Sequence, residues 1–412
     1  MTQDEECKGI RHALEGLKVA DFAWIAAGPA VTKWLAEHGA QVIRVESLTY
    51  PDGLRGGLPM KDGISGINRS GWFAHFNDNK YSLSLNLNHP KGLEVTKRII
   101  AWADVVVESF SPGKMAKWGL AYEDIRKIKP EIIMLSLSSQ GQTGPAAYTA
   151  GVGIMLAGLA GFIHFLGWPG RDPPTMINAY SDMLAAPMGL IALMGALATR
   201  AKTNKGQYID LSQLECSLHY LAPALLDYVV NGEEGSRRGN RHAWAAPHGA
   251  YRCRGNDRWC VISVFSDEEW RTLCRVMGQP ELANDPELAS LLNRKKGEDE
   301  LDALIEGWTI NYTPEEVVRQ LQENGIAAGV VKDAKDILED PQLRYRQHFV
   351  PLNHPEIGQY RAEAPSWKLS ETPWDLRLPA PCLGEHSEYV CTQILGMSDK
   401  EFIELLNEGV FE

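Results

Sequence analysis

The sequence has no Cys-x-x-Cys pair, no Gly-x-Gly-x-x-Gly turn and no excess of basic residues. Each absence removes a class of function. The seven cysteines, at 7, 216, 253, 260, 274, 382 and 391, are odd in number and scattered, so neither a metal site nor a disulfide framework is expected. Without the glycine fingerprint, a nicotinamide or flavin dinucleotide has no recognisable phosphate loop. Lys and Arg number 41 against 53 Asp and Glu, a formal net charge of −12. Nucleic acid is therefore excluded as a partner, because its binding needs a basic footprint. The opening MTQDEECKGIRH has no apolar h-region, which predicts a protein of the reducing cytoplasm. No repeat and no low-complexity segment interrupts the chain.

What is present is ordinary globular material: 412 residues, 44% hydrophobic and 23% charged, enough for two or three domains. The N-terminal half alternates strands and helices. A strand over 17–22 (LKVADF) leads through AWIAAGPA into a helix and a second strand, QVIRVES. Further strands are predicted over 81–87, 105–108, 132–136 and 207–211, with helices over 90–102, 122–129 and 213–229. This is the pattern of a parallel α/β sheet, in which ligands bind beyond the carboxyl ends of the strands. Those ends fall at 24–28, 109–113 and 138–144. A polar, glycine-rich boundary, NGEEGSRRGN, spans 231–240. Beyond it a smaller α+β unit is expected, with strands near 249–254 and 259–264 and helices over 267–277, 281–292, 296–308 and 314–324. A final helix over 398–408 closes the chain.

The segment 177–200, INAYSDMLAAPMGLIALMGALATR, carries one carboxylate, Asp182, ahead of an uncharged run over 183–198. Small residues alternate there with Leu, Met and Ile, which predicts a helix buried on all sides. At roughly 15–16 apolar residues the run is short of the ~20 that span a bilayer, so no membrane partner is expected. An acid at the head of such a helix has two readings. It caps the helix against the dipole, or it is a desolvated nucleophile or base.

Taken together, the motifs resemble family III CoA-transferases, the formyl-CoA and carnitine CoA-transferase group. The resemblance runs through LEGLKVADF and AAGPAVTKWLAEHGAQVIRVE (within 14–46), FNDNKYSLSLNLNHPKG (76–92), ADVVVESFSPG (103–113) and SSQGQTGP (138–145). It continues in SDMLAAPMGLIALMGALATRAKTNKGQYIDLSQLE (181–215), RRGNRHAWAAPHGAYRC (237–253) and LGEH (383–386). Within the family, the N-terminal blocks are most similar to the subunits of succinyl-CoA:benzylsuccinate CoA-transferase.

The resemblance implies that Asp182 is the catalytic nucleophile. It would pass through a mixed anhydride and an aspartyl-CoA thioester, with coenzyme A and acyl-CoA as substrates and no permanently bound cofactor. It also implies CoA contacts at Trp24, Ile25, Ala26 and Ala27, at Leu85, at Ser109 and Phe110, and at Lys117. Core packing is the alternative for Ile25, Ala26, Leu85 and Phe110. Lys80 is a second basic candidate, against the ordinary fate of a solvated surface lysine. Trp24 and Ala26 stand where formyl-CoA transferase has a polar His and Gln, which favours a bulkier, more apolar acid than formate or oxalate. Related racemases carry a His-Asp pair where this chain has Ala150-Gly151-Val152-Gly153, so racemization, which needs two bases, is disfavoured. His248, Glu385 and His386 are read as structural.

The expected architecture is α/β: a large Rossmann-like domain over 1–223 completed by 326–412, and a smaller α+β domain over 224–325. Linkers near 224–240 and 325–348 would open a ring that interlocks with a second one. The partner in that dimer is either an identical chain or a related subunit. Two other functional classes remain open at this point, an acyl-CoA racemase or isomerase and a non-catalytic subunit of a heteromeric transferase.

Overall fold

A computed structural model describes residues 11–149, 151, 153–174 and 180–412. The described residues fall into two compact units, the larger from Met1–Phe162, Thr175–Asn231 and Gln342–Glu412, the smaller from Ile163–Pro174 and Gly232–Pro341. Its main segment, Gly232–Pro341, thus starts and ends later than the expected 224–325, and the unit also takes in Ile163–Pro174. That segment is held by hydrogen bonds to its backbone carbonyls: Gly239 N donates to Gly167 O at 2.8 Å, and the Arg237 side chain donates from Nη1 to His164 O at 3.3 Å.

In the larger unit, β1 (Lys18–Phe22), β2 (Gln41–Glu46), β3 (Tyr81–Ser84), β4 (Val105–Glu108), β5 (Ile133–Ser138) and β6 (Tyr208–Ser212) form one six-stranded sheet. Its order is β3-β2-β1-β4-β5-β6, and every neighbouring pair is parallel. The inner strands β1, β4 and β5 are buried on both faces because helices cover both. Val19, Val42, Val105, Ile133 and Leu135 join one core with helices Ala27–Glu37 and Tyr180–Thr203. The alternate residues Ala20, Ile43, Val106 and Met134 join a second core with helix Pro90–Trp102 and the C-terminal Val390, Leu405 and Val410. The direction of winding reverses between β1 and β4, which is where sheets of this order open a crevice.

Helix Tyr180–Thr203 has 24 residues, longer than its uncharged run, and by length and apolarity it would suffice to cross a membrane. Here one side of it is core. Leu184, Ala185, Gly189, Leu193 and Ala196 are buried, and a Cβ at Gly189 would stand 3.2 Å from Val31 Cγ2. The opposite stripe of Met183, Ile191 and Gly195 is exposed, which corrects the expectation of a helix buried all round. Residues 177–179, placed at the start of this helix from the sequence, lie outside the described residues. The single helix expected over 213–229 is two, Gln213–Tyr220 and Ala222–Asn231, with Pro223 just inside the second.

The smaller unit is built on an antiparallel sheet of β7 (His248–Arg252), β8 (Trp259–Ser263) and β9 (Ala327–Val330). Helices Asp267–Val276, Glu298–Thr309 and Pro314–Glu323 bury Trp270, Leu273, Leu301, Ile305, Val317 and Leu321 with it. Capping boxes Ser266/Glu269 and Thr313/Glu316 start two of these helices. The helix expected over 281–292 is instead a short turn, Pro280–Asn284, and a separate helix, Leu291–Arg294. Pro286 between them disfavours helix at the preceding residue.

Candidate active site

Beyond the C-terminal ends of β1, β4 and β5 lies a cavity of about 740 Å³. Trp24, Ile25 and Ala27 line it from the first loop, Ser109 and Phe110 from the end of β4, and Ser138 and Ser139 from the end of β5. Asp182, Gln213, Trp72 and Tyr148 also line its wall. The loop after β1 is fixed from several sides. Trp24 N donates to Ser109 Oγ at 2.8 Å, and that hydroxyl lies 3.2 Å from Trp24 O. The Trp24 and Phe110 rings meet edge to face at 5.5 Å. Gly28 permits the tight turn into helix Ala27–Glu37, since a Cβ there would lie 2.4 Å from the Ala23 Cβ. Ile25 has φ 66°, a left-handed conformation that a β-branched residue resists at a cost of about 1–3 kcal/mol. Its N–H is held 3.1 Å from Asp52 Oδ2.

A buried ionic network supports this loop. Asp52 pairs with Arg44, which also contacts Asp21 Oδ2 and Glu46 Oε2, each at 3.4 Å. Arg55 reaches Glu46 at 2.7 Å. Lys80 is fully buried within the same network, 3.0 Å from Asp21 Oδ2 and 2.9 Å from both Pro29 O and Asn77 Oδ1. This corrects both readings of Lys80: it is neither a solvated lysine nor available to a phosphate. Burial draws its ammonium down to about 8.

Asp182 is 6% exposed, and burial pushes its carboxyl up to about 6. Hydrogen bonds from the Ala27 N–H, its own N–H and the Gln213 side chain pull the other way. The carboxylate therefore sits by the starts of two helices, at Ala27 and Gln213, and in the first described turn of a third. Aligned backbone amides there favour negative charge, while the apolar surroundings withhold water from it. A carboxylate so placed is desolvated yet still ionised near neutral pH, a state suited to attack on a carbonyl. Glu108, at the end of β4, is also buried. Burial pushes it up to about 7, and its Oε2 accepts from Phe110 N at 2.7 Å, so it shapes the loop after β4.

The cavity thus gathers Trp24, Ile25, Ala27, Ser109, Phe110 and Asp182, but not every residue singled out from the sequence. Ala26 is buried in the core beneath the loop. Leu85 points to the same face as Leu83 and packs with Val95 and Ile99, as the two-residue period of an extended chain dictates. Lys117 is exposed on the short helix Lys114–Lys117 and does not line the cavity. Gly151 and Gly153 line it, whereas Ala150 and Val152 lie outside the described residues. Glu385 Oε2 accepts from Cys382 N at 2.8 Å, His386 Nδ1 lies 3.3 Å from Ser82 N, and His248 Nδ1 contacts Asn240 O at 2.5 Å. Ser138 falls in the strand end expected over 138–144, whereas Gln213, Trp72 and Tyr148 are not among the expected site residues. For Gln213 the sequence holds a signal, since it follows directly on β6 at the same end of the sheet as the other lining loops.

Residues 14–387 match the family described as CoA-transferase family III. The chain belongs to that family. It is 33% identical over 396 residues to succinyl-CoA–D-citramalate CoA-transferase of Chloroflexus aurantiacus, covering 95% of this chain and 96% of that one. It is 31% identical over 402 residues to the β subunit of succinyl-CoA–L-malate CoA-transferase of the same organism, covering 96% and 98%. The crystal structure of a CAIB/BAIF family protein from Brucella suis superposes with a TM-score of 0.86 at 30% identity, covering 93% of this chain and 100% of that chain. As a family III CoA-transferase, the chain is an enzyme that acts on CoA thioesters.

Proposed function

We propose that Asp182 is the nucleophile through which this CoA-transferase moves CoA from an acyl-CoA donor to a carboxylic acid acceptor. One observation carries the reading: a buried, desolvated carboxylate in the cavity wall, facing helix-start amides. The carboxylate attacks the thioester carbonyl, and the CoA thiolate leaves, giving a mixed anhydride. The thiolate then adds to the Asp182 carbonyl carbon and expels the donor acid, leaving an aspartyl-CoA thioester. The acceptor acid reverses these steps with its own carboxylate. Such exchange is close to isoenergetic, so positioning and exclusion of water are what the protein must supply.

The first loop with Ser109 and Phe110 would hold the thioester end of CoA, and Lys117 would meet a phosphate as a point charge. Both relatives named above use succinyl-CoA by name, which supports succinyl-CoA as donor here. The aromatic wall of Trp24, Trp72, Phe110 and Tyr148 supports an acceptor with a bulky apolar body. With donor acyl-CoA and no acceptor, the enzyme is expected to accumulate the thioester. Hydroxylamine would convert it to a hydroxamate, and borohydride to an alcohol. Either changes the mass of the peptide spanning Asp182. A label on Glu108 or Cys216 instead, or none with any donor, would overturn the assignment.

We also propose that two copies, or this chain and a related subunit, associate as the ring-shaped interlocked dimer. Helix Ala222–Asn231 supports this, because none of its residues is buried and Val229 and Val230 are 77% and 75% exposed. Ile154, Met155 and Leu159 of helix Gly153–Leu159 add further exposed apolar surface. Light scattering is expected to give twice the chain mass, and Leu226→Glu with Val229→Glu to lower it. A monodisperse monomer for the unmodified chain alone would leave only the heteromeric form.

A further inference from the structure

We infer that the Gln213 side-chain amide, together with the Ala27 N–H, forms the oxyanion hole for the steps that take place at the Asp182 carbonyl carbon itself. The inference rests on Asp182 acting as the nucleophile, as proposed above. Gln213 is the first residue of helix Gln213–Tyr220, directly after β6, and it is buried in the cavity wall beside Asp182. Its backbone is set before any substrate arrives. Ser212 Oγ caps the helix by accepting from Glu215 N at 3.3 Å. Ser217 Oγ donates to Gln213 O at 2.8 Å, and Leu214 N donates to Ser139 O at 3.0 Å. Gln213 and Ala27 line the cavity together with Asp182, and the Gln213 amide and the Ala27 N–H both favour the ionised Asp182 carboxylate.

The reaction contains two kinds of addition. When Asp182 attacks the substrate, negative charge develops on the substrate's carbonyl oxygen. When the CoA thiolate adds to Cγ of the anhydride, the S–C bond forms and the carbonyl electron pair moves onto an Asp182 oxygen. Collapse re-forms that carbonyl and breaks the bond from Cγ to the acyl-bearing oxygen, and the donor acid leaves as carboxylate. The acceptor acid later adds to Cγ of the thioester in the same way, and thiolate leaves. In both additions at Cγ the oxyanion belongs to Asp182, which shares the cavity wall with the two donors. A carboxylate spreads its charge over two oxygens, whereas the tetrahedral adduct concentrates it on one. The same donors therefore hold the adduct more strongly than the resting carboxylate.

The test is rapid mixing of enzyme with donor succinyl-CoA alone, trapping with hydroxylamine, and mass measurement of the Asp182 peptide over time. Gln213→Met keeps the length of the side chain and removes the donor, and Gln213→Glu keeps its shape without the amide. Both are expected to slow labelling of Asp182 by about 10²-fold or more, with the KM for acyl-CoA changed far less than kcat. Unchanged labelling in either variant would overturn the inference. So would a loss in Gln213→Met that Gln213→Glu restores, since shape and not the amide would then be the requirement. Should Gln213→Met fail to fold, Gln213→Glu decides alone. Failure of the nucleophile reading looks different, as no label then reaches Asp182 in the unmodified enzyme.

Discussion

Asp182→Asn is expected to lower kcat by about 10⁴-fold or more, because an amide oxygen cannot displace thiolate to form an anhydride. The fold should survive and melt at a higher temperature. The folded Asp182 carboxyl holds its proton up to about pH 6, against an ordinary value of 3.8. Between those values the unfolded chain binds fewer protons than the folded one, so stability falls as pH rises through that window. Above it the buried charge is a standing cost, and the neutral amide removes it. The same shift predicts the acid limb of kcat/KM. Only the ionised carboxylate attacks, so activity should drop by about tenfold per pH unit below pH about 6. Glu108 also titrates nearby, at about 7, and Glu108→Gln tells the two apart. The limb is expected to persist in that variant. Turnover near the unmodified rate in folded Asp182→Asn, or an acid limb that vanishes with Glu108, would sink the nucleophile assignment.

Lys80→Met is expected to destabilise the protein by about 3–5 kcal/mol, because it leaves Asp21 buried beside a lost cation. Thermal or urea melts measure it. Apolar replacement of a whole buried ion pair is often tolerated, but removal of one partner is not. The KM for acyl-CoA should change little. A Lys80 that met a CoA phosphate would behave in the opposite way, with melting unchanged and KM raised about tenfold or more. The network has a consequence for the site as well. Asp21, Arg44 and Asp52 lie beneath the loop that carries Trp24 and Ile25, and Asp52 holds the left-handed Ile25 by its N–H. Strain at a ligand-facing loop persists only where the surrounding structure over-determines it.

The alternation of apolar runs made the parallel α/β sheet legible in the residues alone, since period two and period 3.6 are local properties of the chain. The carboxyl ends of β1, β4 and β5 were legible for the same reason, and with them the loops that line the cavity. Asp182 stood out as the one charge at the head of an uncharged run. Where a side chain points and what it meets was a different matter. Leu85 sits among residues that contact CoA by resemblance, yet strand alternation turns it into the core. Lys80 reads as a surface lysine because its partner, Asp21, is 59 residues away in sequence. Gln213 reads as the start of a helix, and only the parallel pairing of β6 beside β5 sets it next to Asp182. The smaller unit takes in 163–174 because hydrogen bonds to the Gly167 and His164 carbonyls join segments far apart in sequence. Local periodicity decides the elements. Only the packed chain decides which charges are buried together and which side chains share a cavity, because those pairings join residues far apart in sequence.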